Sequence, residues 1–516
     1  MTPIERAANT DSVAKPALVL MTGRMLAFAA TFFIPVVLAR SFNPAQFGTY
    51  KQLFLIQSTI FYIAQMGMAT SLYYFLPLSR QDAGRYVANS LVFLAGTGLA
   101  GMAFISATAP QLARWMSNDA LAPYLPWMGA YLALTMIAAP FEIVLIARAR
   151  YPWASAAYAL TDIARAAALI LPALSQRLDW VVEGAAAMAA LRAAAALFYF
   201  RKEFGRDLTP DSGLFRRQWA YAFPFSIAVM IEIVQGNLPQ YLVSYLTNPA
   251  AFAIFAVGCL QIPLVDLATS PSSDVMMVKM QESIARGAKA AVLGIWHDTT
   301  WKLAVLFLPL TALMMSGAHE IILMLYTPRY RESVPLFTIW ALLILTSTLQ
   351  VDGVLRVFAE TRFLLVLNLT RLAIVAGLIQ VSLRSLHLAG PVIVIVLANA
   401  CFKLLALVRM RKLLNCSFGQ LLPWRRLGPL LRASIGAVGP VLLLKSQLHM
   451  SPFRVLLAIG PLYIVTYVAL IWRSSLLEEN ERTAIVNWVR RAFQRASGLI
   501  GREAPAGALE TAQSGD

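Results

Sequence analysis

The chain has 516 residues, of which 59% are apolar and only 13% charged, with a mean hydropathy of +0.65. Soluble domains carry about 25% charged residues, so this chain lacks the polar surface that several soluble domains of its length would need. The net charge of +17 raises nucleic acid as a partner, but the placement of the basic residues, set out below, excludes that class.

Apolar stretches recur along the chain, each long enough for a hydrocarbon core of about 30 Å. They predict helices over 17–39, 46–77, 87–109, 124–147, 152–174, 180–200, 219–246, 250–270, 303–325, 334–357, 362–384, 390–408, 430–447 and 454–472. The first run lacks a small-residue cleavage site and reads as a retained helix, not a signal peptide. The 46–77 run is too long for one upright helix and is expected to bend near Gly67. After 472, Ile485, Trp488, Val489, Ala492, Phe493, Ala496, Leu499 and Ile500 recur at helical spacing among Arg490, Arg491 and Arg495, the pattern of a basic amphipathic helix that lies either on the cytoplasmic leaflet or against the protein's own loops. Residues 503–516 are rich in Ala, Gly and Glu and are expected to be disordered. Cys259, Cys401 and Cys416 are spaced for neither zinc nor a disulfide framework.

Lysine and arginine in short loops set orientation. With the N-terminus cytoplasmic, 28 of the 43 basic residues fall on the cytoplasmic side, including Arg148, Arg150, Arg201, Lys202, Arg409 and Arg411. Eight fall on the other side and seven within or at the edges of helices. This bias predicts both termini in the cytoplasm, and it accounts for the net charge without nucleic acid. The outer connections are short and carry no His/Asp/Glu cluster, which argues against a membrane glycosyltransferase or ligase.

A repeat is also visible. Asn43-Pro44-Ala45-Gln46-Phe47-Gly48-Thr49-Tyr50 returns as Asn248-Pro249-Ala250-Ala251-Phe252-Ala253-Ile254-Phe255 at an offset of 205, and at 206 Arg150 matches Arg356 and Arg165 matches Arg371. Six helices separate the copies, so the halves share one orientation, and the interface of such parallel repeats is a common substrate site. The expected architecture is all-α: a polytopic membrane protein with lobes at 17–205 and 206–410, an added helix pair at 411–475 and a cytoplasmic tail at 476–516.

A charge at mid-bilayer costs about 2.5–3.5 kcal/mol on insertion scales. Lys51, Lys403 and Arg432 lie near helix ends and are read as snorkelling. Arg24, Arg165, Arg192 and Arg371 lie deeper and are candidates for binding an anion, since arginine stays protonated and grips phosphate oxygens bidentately. Asp162, one turn before Arg165, is either its counter-ion or, with Glu142 and Glu232, a candidate for ion coupling.

Arg24, the segment Leu38-Ala39-Arg40-Ser41-Phe42-Asn43-Pro44 followed by Phe47-Gly48-Thr49-Tyr50, and Gly67 before Tyr74-Phe75-Leu76-Pro77 together resemble the Wzx-type polysaccharide flippases. That superfamily also holds the MATE multidrug exporters and the lipid II flippase. The resemblance implies a V-shaped two-lobe transporter of the bacterial inner membrane with a central cationic cavity. It implies a substrate linked to undecaprenyl pyrophosphate, turned across the membrane for O-antigen, capsule or exopolysaccharide synthesis. Of the arginines, only Arg24 is carried by the resemblance. Expected partners are this glycan, membrane lipids, and a polysaccharide polymerase with its export machinery; no catalytic residue, metal or cofactor is expected. The alternatives are a cation-coupled multidrug antiporter and, less favoured, an integral-membrane glycosyltransferase.

Overall fold

The computed structural model describes residues 3–448 and 450–473. The proposed amphipathic tail at 476–516 lies outside the described residues. Twelve helices are long and apolar enough to cross a bilayer, and two bent pairs bring the number to fourteen. In chain order the spans are α1 (Val19–Ser41), α2 (Pro44–Leu78), α3 (Ala83–Ala107), α4 (Leu125–Ala147), α5 (Tyr151–Leu174), α6 (Leu178–Asp207) and α7 (Ser212–Leu246). They continue with α8 (Pro249–Gly258 and Pro263–Ala285, bent by 53°), α9 (Ala291–Ser316), α10 (Ser333–Val357), α11 (Thr361–Leu386), α12 (Ala389–Leu413), α13 (Trp424–Gln447) and α14 (Pro452–Arg473). Strands are absent among the described residues. Leu160, Leu171, Leu191, Phe198, Leu457 and Val465 are each more than half exposed. Outward apolar faces of this kind are what a lipid solvent, not water, selects.

The expected bend in α2 is present: Met66 and Gly67 have φ of 43° and 69°, and the helix restarts at Met68. Two other boundaries differ from the hydropathy reading. The run expected at 303–325 is a span ending at Ser316 followed by a separate helix, Ala318–Tyr326, because Gly317 breaks an apolar stretch that hydropathy reads as continuous. The last helix pair begins at Trp424, and it packs on α9 through Ala304, Leu308, Leu430, Ala437, Val455 and Tyr463.

Backbone geometry repeats along the chain. A positive φ is uncommon outside glycine. Here Ser117 pairs with Thr327, Ala149 with Ala359, Gln176 with His387 and Gly205 with Asn415, each pair 210 or 211 residues apart and each at the end of corresponding helices. Asn43 and Asn248 likewise cap corresponding helices: each side chain accepts from the backbone N–H three residues on, at Gln46 and Ala251, and each is followed by proline. The offset therefore grows from 205 to 210 between the caps and the later turns. This corrects the arginine register. Arg150 corresponds to Glu360, not Arg356, and Arg371 corresponds to Thr161, so Arg165 lies one turn, about 6 Å, along from its expected mate. The corrected register also exposes an equivalent pair of salt bridges. Glu142–Arg192 (2.8 Å) has an equivalent of the same polarity in Asp352–Lys403 (2.9 Å), at offsets of 210 and 211, whereas Arg150–Glu203 (2.8 Å) and Glu360–Arg409 (2.6 Å) share only their first position, because Glu203 corresponds to Leu413.

At the end bearing Asn43 and Asn248 the halves are sealed. Gly48 lies so close to the second half that a Cβ there would sit 1.9 Å from the Pro249 carbonyl oxygen. Arg40 donates to the Leu325 carbonyl (3.0 Å) and to that of Met324, and Arg329 donates to the Phe42 carbonyl (3.4 Å). Gln52 donates to Ser244 (2.7 Å) and Phe47 packs edge-on against Tyr330. A Gly48→Val substitution should force this seal apart, since overpacking costs about 1–3 kcal/mol. The expected result is a lower melting temperature and, in a Gln52→Cys background, new reactivity of the introduced thiol. Unchanged melting together with an unreactive thiol would refute the seal.

Candidate substrate cavity

Two cavities, each of about 750 Å³, open among the helices. The first lies within the second half, between α7, α8, α10, α11 and α12. Its wall holds Glu232, Asp274, Asp352, Arg356, Arg371 and Lys403 among hydroxyls and amides. The second reaches between the halves. Phe28 and Phe32 of α1 and Lys51 of α2 face Gln240, Asp266, Tyr326 and Trp340 across it. Arg371, Asn399, Gln235 and Gly236 border both, so the two spaces adjoin at Arg371. The break in α8 at Cys259–Ile262 also lines the second cavity, through Cys259, Leu260 and Gln261.

Arg371 has no ion-pair partner among the described residues. Its neighbour one turn back, Asn368, is neutral and uses its carbonyl to accept from Gln235 Nε2 (2.6 Å). Lys51 also has no acid within ion-pair distance among the described residues and lies 5.8 Å from the Phe47 ring centroid. A lone guanidinium or ammonium inside a membrane is stabilised by water or by an anion, and both of these border the same cavity.

The other predicted residues are placed differently: of the four arginines, Arg371 alone lines these two cavities. Arg192 is the partly buried partner of the buried Glu142, with Nη2 at 2.8 and 2.9 Å from the two carboxylate oxygens. Arg165 stands 3.9 Å from Asp162, within electrostatic range of Tyr50, Tyr62 and Tyr131 of the first half. Its Nε is buried without a hydrogen-bond partner among the described residues. Arg24 lies over the Tyr158 ring of α5 at 5.2 Å. Of the candidate acids, Glu142 and Asp162 thus stand beside arginines, whereas Glu232 lines the first cavity. Lys51 and Lys403, read from sequence as snorkelling, both turn inward, and Lys403 bonds Asp352. Distance from a helix end gives depth but not azimuth, so the sequence held no sign of this.

Residues 13–268 match the family model described as polysaccharide biosynthesis protein. The match covers just under half of the chain, which is similar to that family over this stretch. No curated protein matches it. Among solved structures, the chain is similar to the lipid II flippase MurJ in an inward closed conformation, with a TM-score of 0.65 at 13% identity, over 86% of this chain and 98% of that one. It is also similar to an inward-facing multidrug resistance MATE family transporter of the MOP superfamily (TM-score 0.59, 14% identity, 75% and 94% coverage). The outward-facing form of a MATE transporter gives 0.53 at 12% identity, over 78% and 96%. At these identities the likeness is one of fold: the chain shares the fold of these transporters, with nearly the whole of each represented.

Proposed function

We propose that this multi-pass membrane protein is a flippase that turns a polyprenyl-diphosphate-linked oligosaccharide from the inner to the outer leaflet of the bacterial inner membrane, for O-antigen, capsule or exopolysaccharide assembly. The observation that carries the reading is Arg371, unpaired among the described residues where two polar cavities meet. A diphosphate supplies the charge and acceptor geometry that a lone guanidinium lacks, while a cationic drug would be repelled by Arg371 and Lys51. The family match supports polysaccharide synthesis as the setting. Alternating access would rock residues 17–205 against 206–410, with 411–475 an added pair, and the work done is movement, not bond-making. Glu232 is the remaining candidate among the proposed coupling acids, because Glu142 and Asp162 face arginines. A polymerase and export machinery would receive the product.

Two experiments test this. Purified protein in liposomes should speed the appearance of a fluorescent polyprenyl-diphosphate oligosaccharide in the opposite leaflet; no acceleration over empty liposomes refutes the flippase. Reporter fusions at Arg217 and Arg411 should read cytoplasmic and one at Asn118 periplasmic. A cytoplasmic signal at Asn118 would invert the membrane orientation, and with it the direction of transport.

A further inference from the structure

The two cavities differ in charge. Between the halves, Lys51 and Arg371 face a single acid, Asp266. Within the second half, three acids balance three cations. There Asp352 and Lys403 bond each other, which leaves Glu232 and Asp274 to face Arg356 and Arg371 without ion-pair partners among the described residues. Glu232 comes from α7 and Asp274 from α8, so two helices present carboxylates to one space. At about 750 Å³ it has the size of a ligand site, and its remaining wall includes Thr269, Ser270, Ser273 and Gln350.

From this arrangement we infer that the cavity within the second half is a sugar subsite selective against acidic sugars. The inference rests on the flippase reading above and adds the class of glycan. With the diphosphate at Arg371, the attached sugars extend into the adjoining space. Hydroxyls there meet carboxylates that accept hydrogen bonds and amides that do both. A uronic acid or other anionic substituent meets Glu232 and Asp274 instead, and like charges brought together at a binding surface are strongly unfavourable. Neutral sugars and amino sugars escape that penalty. The substrate is therefore a neutral or amino-bearing oligosaccharide.

The test uses the full chain, purified in detergent, and two synthetic short-chain polyprenyl diphosphate disaccharides that differ only in a terminal glucose or glucuronic acid. Binding of both is measured for the wild type and for a Glu232→Gln/Asp274→Asn double variant, with thermal unfolding to establish that each is folded. The ratio of the two Kd values is the readout. In the wild type the glucose probe should bind about tenfold more tightly, a difference of about 1.4 kcal/mol, and in the double variant the ratio should fall toward one. Equal binding of both probes by the wild type overturns the subsite and leaves the flippase standing. So does a preference that survives in the folded variant. A double variant that does not fold is replaced by the two single variants, each expected to narrow the ratio, and an unchanged ratio in both overturns the inference. Binding of neither probe by the wild type removes the flippase reading itself, and the inference with it.

Discussion

Replacing Glu142 with leucine should destabilise the protein by about 3–5 kcal/mol, the cost of leaving one member of a buried ion pair uncompensated. The Glu142 side chain is only 4% exposed and that of Arg192 26%. Both carboxylate oxygens lie within 2.9 Å of the guanidinium Nη2. Without Glu142, Arg192 faces the interior of the first half with its Nε already lacking a partner among the described residues. Removing both charges in Glu142→Leu/Arg192→Met should restore most of the loss, because an apolar pair of similar volume often equals or exceeds a buried salt bridge. Thermal unfolding in detergent, together with abundance in the membrane, measures both. The equivalent pair is a built-in comparison. The Asp352 side chain is 39% exposed and borders the cavity, so water can solvate Lys403 when Asp352 is removed, and Asp352→Leu should cost distinctly less. Equal losses at Glu142 and Asp352 would show that cavity water does not reach the second pair.

The contrast between those pairs marks where sequence reasoning stops. The spans were legible because each must be apolar over its full length. The bend at Gly67 was legible because Pro44–Leu78 exceeds one bilayer crossing. The matched caps at Asn43 and Asn248 are local, made by a side chain and a backbone N–H three residues on, so a short window contains them. Glu142 and Arg192 are fifty residues apart in sequence, and nothing in either helix marks the other. The arginine register failed for a related reason. An identity match at constant offset assumes that no residues were gained between the landmarks, whereas the second half has five more between its Asn248 cap and its Thr327 turn than the first has between Asn43 and Ser117. Charge reversal hid the true mates as well, since Arg150 corresponds to a glutamate, Glu360.

Arg371→Ala should abolish most glycan export while leaving the protein abundant in the membrane. The two requirements follow from one fact, that no acid lies within ion-pair distance of this guanidinium among the described residues. Removing it strands no buried carboxylate, so folding should survive. Removing it also deletes the fixed cation where the cavities adjoin. A hydrogen bond to a charged group contributes about 1.5–3 kcal/mol, which corresponds to roughly ten- to hundredfold in substrate affinity. Arg371→Lys should recover part of the export, because it keeps the charge and loses the planar fork that grips two phosphate oxygens. Arg371→Gln, similar in reach but neutral, should behave like alanine. Lys51 borders the cavity between the halves from the opposite side. Lys51→Gln should therefore weaken export less, and the Lys51→Gln/Arg371→Lys double variant should lose more than the two single effects combined if both cations hold one diphosphate. Surface glycan and membrane abundance are measured together for each variant. Wild-type export by abundant Arg371→Ala and Arg371→Gln proteins would remove the cation from the mechanism, and disappearance of all three Arg371 variants from the membrane would assign it to packing.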